Sequence, residues 1–363
     1  MRWNTKSWRA YVFSSVLCFL TSVHSSNWQE NIRPKLFAKL NHRDYQSFSG
    51  SLKTKPQPPN NGSPASNDSA KISKNTEEDY FTMMLYTHMT DEALVVGARN
   101  ILYKLSVDEL RLRQTLIWNS VDSDRESCFI KGKNELECQN YIKVLQQYQN
   151  DPDRYFVCGT NAYKPSCKII VDERGSYVLR EEERGLGVAP FSPWHNSTAV
   201  LVGEEIYGGT VADPSGVDPI IFKDPLRTQQ YDSTQLNSPD FVGSFSHKDF
   251  VYFFFRESAV EHTNCGKTVF SRVARVCTHD KGGPNKAKFS WTSFFKTRLN
   301  CSVPGNYPFY FNEIQAVSQL IEGHYGHGPI ENNLEEDKRE AIMYATFSTP
   351  PNAIGGSAVC AFR

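Results

Sequence analysis

Two pairs of cysteines are the residues in this sequence best placed to do chemistry. Cys158 and Cys167 stand nine positions apart in "VCGTNAYKPSC", and Cys128 and Cys138 stand ten apart in "CFIKGKNELEC". Three chemistries use such pairs: a metal site, a reactive thiol with a resolving partner, and a disulfide. Structural zinc sites space their cysteines two to four residues apart and add a second pair or His. Both pairs here are too wide for that. A reactive thiol needs a nearby His or helix N-terminus to lower its pKa, and neither stretch offers one. A disulfide fits, because Gly159, Asn161 and Pro165 supply the turn chemistry that folds the intervening segment back. Closing so short a loop contributes very roughly 3 kcal/mol.

The N-terminus says where such bonds would form. Arg2, Lys6 and Arg9 precede an apolar stretch over 10–23, and small residues follow at Ser22, Ser25 and Ser26. Residues 1–25 therefore read as a secretory signal peptide, too short and interrupted for a spanning helix. Its removal takes Cys18 and leaves an even set of eight cysteines in an oxidising compartment.

Catalytic constellations are poorly supported. Glycosidase chemistry needs two carboxyls flanking a sugar pocket. Asp172, Glu173, Glu181, Glu182 and Glu183 fall in the charged runs "DERG" and "REEERG", which read as solvated loops. No Ser elbow and no His-Glu zinc helix is present. His324 and His327, in "HYGHG", read as an exposed polar loop rather than a metal site. We expect no enzyme, no cofactor and no metal. The formal charge is zero, with 40 basic and 40 acidic residues, which removes the excess expected of a nucleic-acid binder.

The elements that must position these residues are strands. Aromatics make up 13% of the chain, which favours sheets. Residues 49–79 are rich in Ser, Asn, Pro and Lys, and read as a disordered insertion unable to bury a core. From residue 80 onward, short strands alternate with Gly or Asn turns: "ALVVGARNILYKLSV" breaks over 97–100, "TAVLVGEEIYGGTVAD" at Gly203, and "DFVGSFSHKDFVYFFFRE" over 246–249. The unit returns every 40 to 60 residues, roughly, as do the antiparallel blades of a β-propeller. On this pattern alone, a sandwich or two barrels remain open.

Longer motifs narrow the choice. "LVVGARNILYKLS", "CFIKGKNELECQNYIKVL", "VCGTNAYKPSC", "LRTQQYDSTQLNSPDFV", "VYFFFRE", "SRVARVC", "WTSFFKTRLNCSVPG" and "GSAVCAF" resemble, in order, the motifs of a semaphorin domain. "HTNCGKTVFSRVARVC" and "PFYFNEIQAVSQLIEG" most resemble the invertebrate class 1 transmembrane members. The resemblance implies an all-β fold, a seven-bladed propeller of which this chain carries about the first four to five blades in residues 26–363. It implies an extracellular guidance ligand that binds a plexin receptor, repels growing axons and acts as a homodimer. A receptor or co-receptor built on the same domain is the alternative. Two departures stand out. The 49–79 insertion is longer than the family pattern, and the sequence stops near the middle of the domain.

The resemblance also implies pairings: Cys301 with Cys360, and Cys277 with a partner beyond Arg363. Plexin contacts in the family fall on loops of one propeller face around the third and fourth blades. Residues 222–241 are a long polar connection of the kind that is often functional. They contain Arg227, Gln230, Tyr231, Asp232 and Asn237 as candidate receptor contacts, Arg and Tyr being enriched at hot spots. Equally open is an Arg227–Asp232 pair that merely shapes the loop. Asn61, Asn67, Asn196 and Asn300 head N-glycosylation sequons, with Asn196 the best candidate for exposure.

Cys265 is left over. An odd cysteine in a secreted chain points to an intermolecular bond, and a symmetric dimer places the same residue on both sides of its axis. A local Cys265–Cys277 bridge is the alternative. In the complete protein, non-reducing electrophoresis should show a dimer band that Cys265→Ser converts to monomer. A wild-type protein running only as monomer rules the link out.

Overall fold

The chain folds as a succession of antiparallel sheets, the first four of them simple meanders in which each strand is hydrogen-bonded to its neighbour in sequence. The computed structural model describes residues 83–87, 93–107, 110–173, 176–262, 266–323, 340–351 and 354–363. The proposed signal segment, the 49–79 insertion, Asn61, Asn67, Cys265, His324 and His327 lie outside them. The first sheet holds β1 (Met83–Thr87), β2 (Ala93–Ala98), β3 (Ile101–Ser106) and β4 (Leu112–Ile117). A helix, α1 (Asp122–Ile130), leads to a second sheet of β5 (Ile142–Tyr148), β6 (Asp151–Gly159), β7 (Ser166–Glu173) and β8 (Ser176–Arg184). The third holds β9 (Thr198–Val202), β10 (Glu205–Val211), β11 (Pro219–Lys223) and β12 (Leu226–Arg227). The fourth holds β13 (Asp240–His247), β14 (Phe250–Ser258), β15 (Val269–Cys277) and β16 (Phe295–Arg298).

A small hairpin, β17 (Ser302–Val303) with β18 (Phe309–Tyr310), precedes the fifth sheet of β19 (Glu313–Val317), β20 (Ile321–Gly323), β21 (Glu340–Ser348) and β22 (Ser357–Phe362). There β19 and β20 lie end to end along one edge of β21, and β22 pairs its other edge. The first strands of successive sheets touch one another, β1 to β5 to β9 to β13 to β19. That arrangement is a partial β-propeller.

Packing between sheets follows from the period of two in a strand. In β14, Val251, Phe253 and Phe255 join Tyr207, Ile221 and Leu226 in the core between the third and fourth sheets. Phe254, between them in sequence, joins Ile314, Met343 and Phe347 in the core between the fourth and fifth. A strand buried on both faces reads as a continuous apolar run, which is why "VYFFFRE" shows no alternation. Two glycines let the sheets close. A Cβ at Gly97 would stand 2.6 Å from Ile142 Cγ2, and one at Gly209 would stand 2.8 Å from Phe241 Cε1. Gly97 therefore lies within β2 rather than in the break the sequence suggests over 97–100. The turn falls on Arg99 and Asn100, with Asn100 at φ 63°.

The first and third disulfides fasten links, and the second joins two strands. Cys128–Cys138 ties α1 to the link into the second sheet, Cys158–Cys167 joins directly opposed residues of β6 and β7, and Cys301–Cys360 joins the hairpin base to β22. Cys277 keeps a free, half-buried thiol. The helix was not foreseen from strand-like patterning. Asp122 and Asp124 in its first turn suit the positive end of its dipole. Asp124 also accepts hydrogen bonds from Lys164 Nζ at 2.8 Å and Asn161 Nδ2 at 3.2 Å, which docks the helix on the β6–β7 turn.

One link crosses between sheets. Residues 278–294, joining β15 to β16, run along β12 of the third sheet. There the Arg227 N–H donates to Phe289 O at 2.9 Å and Trp291 Nε1 donates to Ile221 O at 2.8 Å. Asp280 holds this link in shape, its carboxylate accepting from the N–H groups of Gly282, Thr292 and Ser293 and from the hydroxyls of Thr292 and Ser293. Partial burial alone would raise its pKa. The donors on Ser293, Gly282 and Thr292 outweigh burial and hold it at about 2. A depressed carboxylate pKa contributes stability that is complete above the unfolded value of 3.8 and is lost as pH falls through about 2. Asp280→Asn should therefore melt below wild type at neutral pH, with the gap closing between pH ~4 and pH ~2. A gap independent of pH in thermal melts counts against this role.

Candidate functional site

The meander topology sorts the loops. Links between second and third strands, and links from a fourth strand to the next sheet, emerge at one end of the propeller. The remaining links emerge at the other. Around the third and fourth sheets, the first end gathers residues 185–197, 212–218, 228–239, 259–262 and 266–268.

Residues 222–241 are not one open loop. A cis Asp224–Pro225 turn and the short β12 occupy the first part, leaving 228–239 as the true link. Arg227 belongs to the support rather than to the surface. Its Nη2 donates to both oxygens of Asp218, at 2.7 and 2.9 Å, and its Nε donates to Thr228 O at 3.0 Å. The Asp218 side chain is 3% exposed and that of Arg227 28%. An Arg227–Asp232 pair inside the loop is thus corrected: the partner is Asp218, at the end of 212–218. Asp232 instead accepts from the N–H and hydroxyl of Thr234, which holds its carboxyl below the usual range. These bonds leave Gln230 and Tyr231 exposed at the tip, with Tyr231 74% exposed and at φ 58°.

Asn237 anchors the far side of the link. Its N–H donates to Glu257 Oε2 at 2.9 Å and its Nδ2 to Ser258 O at 3.0 Å. Glu257 is a buried hub on β14. Its Oε1 also accepts from Arg272 Nε and Lys296 Nζ, both at 2.5 Å. Arg272 reaches onward with Nη2 to both oxygens of Glu261, at 2.8 and 2.7 Å. The hydrogen bond from Arg272 holds the Glu261 carboxyl below its ordinary pKa. Burial lowers the Lys296 amine, and Glu257 opposes that shift. A buried carboxylate is tolerable only when paired and hydrogen-bonded, and every oxygen of Glu257 has a partner.

The five candidate contacts therefore separate. Gln230 and Tyr231 face solvent, whereas Arg227, Asp232 and Asn237 hold the link in place. Exposed Val217 and Trp194 emerge at the same end, from 212–218 and 185–197. Asp218, Glu257 and Arg272 were missed. The only signal for them was charge within strand-like sequence, as in the "RE" that closes "VYFFFRE". Asn196 is exposed, and its Nδ2 donates to Asp240 Oδ1 at 2.7 Å. Asn300 is exposed beside buried Cys301. The carboxylates weighed for catalysis are dispersed. Asp172 is buried against Lys104 Nζ at 2.6 Å, while Glu181, Glu182 and Glu183 lie on the exposed outer strand β8.

Known proteins share this architecture and its sequence. Semaphorin-1A of Drosophila melanogaster is 45% identical over 365 residues, covering 100% of this chain and 36% of the relative. The chain belongs to the semaphorin family. The solved structure titled Drosophila Semaphorin 1a, extracellular domains 1-2, is 49% identical with a TM-score of 0.66, covering 78% of this chain and 53% of that one. A chain of the structure titled Drosophila Plexin A in complex with Semaphorin 1b is 44% identical, with a TM-score of 0.67, over 78% of this chain and 52% of that one. No family model matches the chain. This semaphorin chain thus spans about half the length of the solved relatives and less of the full-length one.

The Asp218–Arg227 pair gives a direct test of support against contact. Arg227→Ala strands a buried carboxylate and should cost about 3 kcal/mol of stability. Tyr231→Ala should leave the melting temperature within a degree or so, since an exposed side chain away from the core contributes little. Equal melting temperatures for the two variants overturn the division.

Proposed function

We propose that residues 26–363 are the N-terminal part of an extracellular semaphorin ligand that binds a plexin receptor through the end of the propeller where 228–239 emerges. It acts by binding, not by catalysis. Axon repulsion and a homodimeric assembly belong to the complete protein. It reaches the cell exterior through the secretory pathway after loss of residues 1–25, and is then membrane-anchored or secreted. Among the described residues no helix is long and apolar enough to cross a membrane.

One observation carries the reading. The relative solved with Plexin A is a semaphorin in title, and a chain of that structure is 44% identical to this one over the shared fold. The surface at 228–239 adds chemical support. Its tip shows an aromatic and an amide side chain on a link whose backbone is already held by Asp232, Asn237 and Glu257. A contact surface ordered beforehand loses less entropy on binding.

In the full-length protein, Gln230→Ala combined with Tyr231→Ala should weaken plexin binding by about 2 kcal/mol or more, in the hot-spot range, with no change in melting temperature. Surface plasmon resonance showing unaltered affinity removes this tip from the interface. Failure of the wild-type protein to bind any plexin removes the reading altogether.

A further inference from the structure

We propose that Glu257, which is too deeply buried to touch a partner, is the positioning residue that sets the geometry of the receptor-contacting tip and couples it to Glu261, just beyond β14. The inference rests on the preceding reading that Gln230 and Tyr231 meet the receptor. The Glu257 side chain is 0% exposed. Its two oxygens serve different elements. Oε2 takes the backbone N–H of Asn237, which fixes where 228–239 turns back toward β13. Oε1 takes Arg272 and Lys296 from β15 and β16, and Arg272 extends to Glu261 at the start of the next link.

Asn237 also exchanges bonds with Ser258, its Nδ2 donating to Ser258 O at 3.0 Å and its O accepting from the Ser258 N–H at 3.2 Å, so the link meets the fourth sheet at Glu257 and the residue beside it. The charges within the cluster balance, with Glu257 and Glu261 against Arg272 and Lys296. The hub therefore keeps its geometry without a net buried charge. A side chain with these bonds does more than stabilise a core. Moving its carboxylate shifts the tip on one side and Glu261 on the other, while the apolar packing of Phe253, Phe254 and Phe255 stays in place.

Glu257→Asp keeps the charge and the fold but shortens the reach, so the carboxylate cannot serve Asn237 and the two cations together. Glu257→Gln keeps the reach and strands Arg272 and Lys296, and reports the stability share separately. In the full-length protein, we expect Glu257→Asp to speed hydrogen exchange of the 228–239 amides and to weaken plexin binding at least about tenfold, as the binding-competent fraction falls. The decisive readout is a double-mutant cycle. Placed on the Gln230→Ala, Tyr231→Ala background, Glu257→Asp should cost little further affinity, because its effect passes through the tip. Additive losses overturn the proposal, as does unchanged exchange over 228–239. The exchange measurement needs no receptor, so a protein that binds no plexin defeats the functional reading without obscuring this one.

Discussion

The second, third and fourth sheets each have two apolar faces, and each face is covered by a neighbouring sheet. That mutual burial organises the rest. A sheet with one wet face can stand against a helix or alone in a sandwich, but β6 and β14 place large side chains on both sides. The stable answer is to set sheet beside sheet around a common line of inner strands, the propeller solution. Close approach then demands small residues where sheets nearly touch, which Gly97 and Gly209 supply.

Once the sheets are fixed by burial, the links are free to be polar, and they gain their shape from hydrogen bonds. The charged groups that hold them repeat one physical device. Asp218 accepts Arg227 with both oxygens, Asp280 accepts donors from Gly282, Thr292 and Ser293, and Glu257 accepts donors from three separate segments. Asp218 and Glu257 sit beneath the end that carries 212–218 and 228–239, and Asp280 shapes the link that runs along β12. A carboxylate with all its lone pairs occupied defines position more narrowly than apolar contact does, because its bonds are directional.

This division of labour suits a binding protein. The sheets supply stability that does not depend on a partner, and the supported links present few side chains without spending ordering entropy at encounter.

Much of this was legible in order of residues alone. Strand content, the short-loop disulfide pairs and the family resemblance follow from local spacing and motif order, because each depends on neighbours in the chain. The division of 222–241 did not. Arg227 and Tyr231 look alike as interface residue types, and nothing local tells which is consumed by Asp218 and which is left to solvent. The helix α1 was hidden because its stability comes from a disulfide and a docked Asp124 rather than from an apolar stripe. Glu257 was invisible for the same reason in a stronger form. Its partners come from 237, 272 and 296, on three other segments, and only the packing of β13 to β16 brings them to one carboxylate.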